Sequence, residues 1–179
     1  MLRIRTPDVE MWDNVNCEFI NLEGVELEME HSLYTISKWE SKWHKSFLMS
    51  KLNAEETLDY IKIMTVTQNV DPLIFATLTD ENIEEIHKYI TAPMTATTFS
   101  EVPGGRRKTE IITAELIYYW MIALNIPFEC QYWHFNRLMT LIRVCSIKNA
   151  PPKKMSKNDI RRQNAALNAA RLKQFNTNG

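Results

Sequence analysis

Between Leu116 and Phe128 thirteen consecutive residues carry no charge, and this run most restricts what the chain can fold into. A helix crossing a bilayer needs about 20 predominantly apolar residues. The run is shorter, is broken near its end by Pro127, and is followed by Glu129, His134, Arg137 and Arg143. No membrane association is expected, so the stretch has to be covered by protein. Thr109 is placed to cap EIITAELIYYWMIALN, which is apolar almost all round and is therefore expected as a central helix ending at Asn125. Pro127 then starts FECQYWHFNRLMTLIRVCSIK, in which Phe128, Tyr132, Phe135, Met139, Ile142 and Cys145 fall on one stripe. The pattern predicts a helical hairpin buried by its neighbours.

Helical periodicity governs most of the remaining chain. Only four glycines occur in 179 residues, which disfavours both turn-rich β folds and glycine-cradled phosphate sites. Residues 1–31 are the exception. VELEMEH alternates Val25, Leu27 and Met29 with Glu26, Glu28 and Glu30, the pattern of a half-buried strand. NCEFINLEG reads as its hairpin partner with Gly24 in the turn, and MLRIRT as a short third strand. From Ser32 the period lengthens. Ser32 caps SLYTISKWESKWHKSFL, with Ile36, Trp39, Trp43 and Phe47 on one face. Asn53 and Glu56 stand in capping-box spacing ahead of a face of Leu58, Ile61 and Met64 or Ile63. Asp71 and Pro72 open DPLIFATL, and TDENIEEIHKYI follows with Ile83, Ile86 and Ile90 inward. The segment TAPMTATTFSEVPGGRRK breaks the helical run and is expected to be extended.

Charge is divided unevenly. Residues 151–179 hold seven Lys or Arg and one acid, Asp159, for +6, whereas residues 1–150 hold fourteen bases and twenty-one acids, for −7. Pro151 and Pro152 end the core, and Ser156 with Asp159 caps a final helix that has little apolar surface to bury: Ile160, Leu167, Leu172 and Phe175. The expected fold is thus mainly α: a compact helical core over residues 32–150, a small N-terminal β-hairpin or sheet over residues 1–31 packed on it, and a basic C-terminal helical tail over residues 151–179.

Candidates for chemistry are few. Glu84 and His87 make a single E-x-x-H pair, and a di-iron bundle needs two with further carboxylates. Cys130 and His134 stand four apart on the predicted helix, but structural zinc requires four ligands and no second pair is present. The same two residues lack an oxyanion-hole loop and a third member for nucleophilic catalysis. No G-x-S-x-G, Walker loop or H-E-x-x-H occurs. Neither catalytic residues, nor a metal, nor a cofactor is expected. Cys17, Cys130 and Cys145 are odd in number and scattered, and MLRIRTPDVEMWD has no continuous apolar region, which points to a reducing cytoplasm without a secretory signal. Nucleic acid is not expected as a partner, since the basic tail has only Phe175 for stacking and no recognition fold around it.

Three stretches, HSLYTISKWESKWHKSFL, ITAELIYYWMIALNIPFECQYWHFNRLMTLIRVCSIKNAPPKKMSK and NAALNAARL, resemble tail assembly chaperone-like proteins of bacteriophages with long non-contractile tails. The resemblance covers most of the chain from His31 onward. It implies a non-enzymatic role in virion assembly in the host cytoplasm, binding the tape-measure protein while tail-tube subunits polymerise around it. Other tail proteins are further expected partners, as is self-association. The alternative expectation is a virion structural component (a neck, head–tail connector or tail-tip protein) that uses residues 91–108 and 150–179 as arms onto adjacent subunits. Interface candidates are Trp39 and Trp43 on the first helix, Tyr118 and Tyr119 on the central one, and Arg161, Arg162 and Arg171 in the tail.

Overall fold

The structure, a computed structural model, describes residues 1–13, 17–99, 111–150 and 157–175. Four strands come first: β1 (Leu2–Arg5), β2 (Val9–Asp13), β3 (Glu18–Leu22) and β4 (Glu26–Met29). The helices are α1 (Leu33–Trp43), α2 (Ala54–Met64), α3 (Asp80–Thr91), α4 (Ala114–Ala123), α5 (Phe135–Asn149) and α6 (Lys157–Phe175). The protein is mainly α with a small antiparallel N-terminal sheet. Its contacts divide it into two compact units, Met1–Lys148 and Asn149–Gly179.

The strand pairing corrects the order expected from sequence. β4 pairs with β1, and β3 with β2. Both ladders share one register, Leu2 opposite Met29 and Val9 opposite Leu22, so the four strands are one long ribbon interrupted midway. Gly24 is at that interruption and not in a hairpin turn. The register puts it opposite Pro7, which has no N–H for a ladder. Polar side chains replace the missing bonds: the Val25 N–H donates to Thr6 Oγ1 at 2.9 Å, and the Gly24 N–H to Asp8 Oδ1 at 2.6 Å. A Cβ on Gly24 would lie 2.1 Å from the backbone oxygen of Thr6. Gly24→Ala should therefore force the strands apart and cost about 1–3 kcal/mol, read as a lower urea midpoint. An unchanged midpoint would mean the ribbon tolerates separation there.

The proximal half of the ribbon is tied into the body. Val66 N–H donates to Glu28 O at 2.7 Å and Glu30 N–H to Met64 O at 3.0 Å, so the end of α2 covers the outer edge of β4. Ile4, Leu27 and Met29 enter a core shared with Leu33, Ile36 and Trp39 of α1, Tyr60, Ile61 and Met64 of α2, and Leu138 and Ile142 of α5.

Helix starts follow local chemistry. Ser32 and Thr35, Asn53 and Glu56, and Thr79 and Asn82 form reciprocal capping boxes. Asp71 caps Leu73 with Pro72 at the first position, but the segment Pro72–Thr77 is a 3-10 helix. α1 stops at Trp43 because His44 turns left-handed, with φ of 53°. Phe47 consequently lies beyond the helix, yet still packs edge-on against Trp39 with ring centroids 5.3 Å apart. On α3 the buried residues are Ile86 and Tyr89, while Ile83 is exposed, so Tyr89 takes the inward place expected of an isoleucine.

Two expectations for the apolar run are revised. α4 buries only Ala114, Ile117 and Met121, a narrow stripe, while Tyr119 and Ile122 are 62% and 59% exposed; it is not a central helix. The segment after Pro127 is not one helix. Phe128–Tyr132 is a 3-10 helix, Trp133 is extended, and α5 begins afresh at Phe135. In a 3-10 helix each residue turns about 120° instead of 100°, so Phe128 and Tyr132 leave the inward stripe. They are 51% and 56% exposed. The Thr109 cap, the Ser156–Asp159 cap and the stretch around Pro103–Gly105 lie outside the described residues or side chains.

Candidate functional site: an aromatic face and a cleft beside α4

Where α4 begins, Thr113 makes no side-chain cap. A carboxylate from α1 takes that role. Glu40, 7% exposed, accepts the Ala114 N–H through Oε2 at 2.7 Å and the Phe47 N–H through Oε1 at 2.7 Å. Ser46 donates to Ile112 O at 2.5 Å beside it. A negative charge at a helix N-terminus is favourable in itself. The same group thus closes the turn after α1 and sets the position of α4.

So placed, α4 and the 3-10 helix after it present aromatic rings to solvent. Tyr34 of α1 lies 5.2 Å from Tyr132 between ring centroids, and Tyr118 lies 6.2 Å from Phe128. The Tyr118 hydroxyl donates to Gln131 Oε1 at 2.8 Å, which ties α4 to the 3-10 helix next to Tyr132. Ile122 follows Tyr118 by one turn, and Tyr119 precedes Ile122 by three residues, so both extend the face along α4. The Lys38 ammonium sits 4.4 Å above the Tyr34 ring at the rim.

On another side of α4 is a cleft of about 820 Å³, open to solvent. Its apolar wall comprises Phe99, Trp120, Leu124, Met139 and Ile142. Thr91, Thr95, Thr97 and Thr140 add methyls and hydroxyls. Thr91 and Thr140 donate their hydroxyl protons to His87 O and Asn136 O, both at 2.9 Å. Asn136 holds the far wall by donating to Ile90 O and Ala92 O at 2.9 and 2.8 Å. The Arg143 guanidinium carbon sits over the Phe99 ring, 3.9 Å from its centroid. Arg143 is the charged residue of the lining, which contains no carboxylate, imidazole or thiol among the described residues.

The predicted site residues separate on inspection. Trp39 has no exposed surface, and its Nε1–H donates to Glu56 O at 3.1 Å; it is core and offers nothing to a partner in this fold. Trp43 is half-buried, its Nε1–H held by Asp59 Oδ2 at 2.8 Å. Burial alone would raise the Asp59 carboxyl, but the bonds from Lys42 and Trp43 bring it below the usual range. Tyr118 is half-buried and Tyr119 exposed, both in the aromatic face. Arg161, Arg162 and Arg171 are exposed on α6, in the separate unit 149–179. Sequence reasoning placed Phe128 and Tyr132 on an inward stripe, and did not single out Tyr34, Ile122, Phe99 or Arg143 as site residues. The 3-10 segment hid the first two. Tyr34 and Phe99 owe their roles to residues far away in the chain.

Glu84 pairs with Lys88 at 2.7 Å, both largely exposed, and His87 is exposed. Among the described residues no three potential metal ligands come together, and no helix is long and apolar enough to cross a membrane. Cys130 and His134 belong to different segments. Burial, then the Glu129 carboxylate, pushes the Cys130 thiol up. His134 uses both nitrogens: Nε2–H donates to Tyr89 O at 3.0 Å, and Nδ1 accepts the Asn136 N–H at 3.3 Å.

A second buried imidazole, His31, accompanies it with ring centroids 5.4 Å apart. Its Nδ1 shares a hydrogen bond with the Tyr60 hydroxyl at 2.5 Å. Burial, helped by His134, lowers the His31 pKa to about 3, and burial also lowers that of His134. His31 therefore stays neutral in the fold well below pH 6.5, near which the unfolded chain takes up protons. Stability must fall as pH drops from about 6.5 towards 3, by up to about 1.4 kcal/mol per unit for His31, and the lowered His134 adds to the fall in the same direction. Urea unfolding should show a lower midpoint at pH 5 than at pH 7, with a shallower dependence in His31→Gln. A flat profile for the native chain would contradict buried neutral histidines.

Comparisons with models of known protein families, with curated proteins and with solved structures find no match to this chain.

Proposed function

We propose that this protein is a non-enzymatic assembly protein that binds other polypeptide. Following its resemblance to tail assembly chaperones, its client is the tape-measure protein of a long-tailed phage, held in the host cytoplasm during tail assembly. The observation that carries this reading is the aromatic face of Tyr34, Tyr118, Phe128 and Tyr132, continued by Tyr119 and Ile122. Rings held by their neighbours lose little freedom on binding, and clustered aromatics supply most of the energy of protein contacts. An amphipathic helix of a long client presents the complementary apolar stripe. The +6 tail and −7 body favour contact between α6 and acidic neighbours, a second copy included.

One observation favours a virion component instead. Residues 149–179 form their own unit, and every α6 side chain described is exposed, as suits an arm laid on a neighbouring subunit. Mass spectrometry of mature particles, beside a pull-down from infected cells, decides between the two. The chaperone reading expects the tape-measure protein in the pull-down and this protein missing from particles. Presence in particles at fixed copy number would overturn it in favour of the arm.

A further inference from the structure

The cleft beside α4 has a chemistry narrower than apolar binding in general. Arg143 is exposed and sits over Phe99, and it pairs with no carboxylate among the described residues, although residues 1–150 carry a net −7. Ser146 also lines the cleft and stands one turn further along α5, on the same face. A guanidinium and a hydroxyl so spaced make a donor pair for one carboxylate. The contact with Phe99 restricts the guanidinium before anything binds, which lowers the entropic cost of using it. Trp120, Leu124, Met139 and Ile142 supply the apolar floor beside that pair. A volume of about 820 Å³ holds several side chains, or a ligand of drug size.

We infer that this cleft is a docking site for an acidic amphipathic peptide segment, one whose large apolar side chains enter beside Trp120 and whose adjacent Asp or Glu pairs with Arg143. The inference rests on the proposed function and adds the chemistry of the segment recognised. Charge complementarity selects the occupant: a basic segment, such as one resembling α6, would set like charge against Arg143. An uncharged one would leave the guanidinium half-covered and unpaired, which is costly once water is excluded.

The test uses the full chain and three fluorescein-labelled helical peptides that share one Leu- and Phe-rich face. They differ only in a single neighbouring residue, Glu, Gln or Lys, and binding is read by anisotropy. The Glu peptide should bind about tenfold more tightly than its Gln twin, the ratio expected of one charge-assisted contact. Arg143→Glu should abolish that preference and make the Lys peptide the tightest of the three. This side chain is exposed, so folding is not at stake, and circular dichroism verifies it. Thr140→Trp, which fills the cleft, should weaken all three peptides. Equal binding of the Glu and Gln peptides, or a preference that survives Arg143→Glu, would overturn the assignment. So would dodecanoate binding where no peptide does, since that marks a site for small apolar acids. Should no peptide bind while the tape-measure protein is still captured, the cleft assignment fails and the proposed function stands. Loss of both would remove the two together.

Discussion

Trp39→Ala should lower the stability of this protein by about 3–5 kcal/mol, the range for truncating a buried tryptophan. In a chain of 179 residues that corresponds to a thermal midpoint about 10 °C lower or more. Trp39 has no exposed surface; it stacks on Trp43 with centroids 6.1 Å apart and meets Phe47 edge-on. Removing it empties the junction of α1, α2 and the turn that follows α1. It also orphans the Glu56 carbonyl, which now accepts the indole N–H. Trp39→Phe keeps most of the volume and loses only that bond, so it should cost about 1–2 kcal/mol. If instead Trp39→Ala left the unfolding midpoint intact and abolished client binding, the indole would be a contact residue and not part of the core.

Glu40→Ala should be comparably damaging, at about 3 kcal/mol, for a different reason. No large volume is lost. The change strips acceptors from two backbone N–H groups at once, those of Phe47 and Ala114, and each costs about 1–3 kcal/mol when left unpaired away from water. Because Glu40 is what caps α4, the loss should be local as well as global. Hydrogen exchange should accelerate at residues 112–118 more than in α2. Glu40→Gln keeps one acceptor oxygen and should fall between the two. Uniform acceleration throughout residues 1–148 would argue that Glu40 matters to the core generally and does not set the position of α4.

These two residues also mark what could be read from the chain. Capping at Ser32, Asn53 and Asp71 was legible because donor and acceptor are at most three residues apart. The switch from alternation to helical spacing at Ser32 was legible for the same reason, and with it the fold class. Glu40 and Ala114 are 74 residues apart, and His31 and Tyr60 are 29 apart. No periodicity encodes such partnerships, so the sequence offers only a local cap for α4, at Thr109. Strand pairing failed similarly. VELEMEH declares itself a strand, but its partner β1 lies at the far end of a ribbon that Pro7, lacking an N–H, interrupts opposite Gly24.

The aromatic face was half-visible. Composition indicates more large rings around Trp120 than a small helical core requires, and Tyr119, one of the interface candidates, is 62% exposed. The apolar spacing after Pro127 reads as one continuous α-helix, which would turn Phe128 and Tyr132 inward. Over the 5 residues of Phe128–Tyr132, 3-10 geometry adds about 20° per residue and so turns a stripe by roughly 100°, and apolar spacing alone does not distinguish the two helix types. Trp39 shows the opposite error. An amphipathic helix has one apolar face, and the residue at its centre is the one least available to a partner.

Polypeptide is expected to bind on that face. The most direct measurement is the affinity of the purified full-length protein for purified tape-measure protein, with and without Tyr119→Ser, Phe128→Ser and Tyr132→Ser combined. All three side chains are more than half exposed, so the unfolding midpoint should hardly move. Binding should weaken by about a hundredfold or more. A triple variant that binds the tape-measure protein as tightly as the native chain would contradict the account.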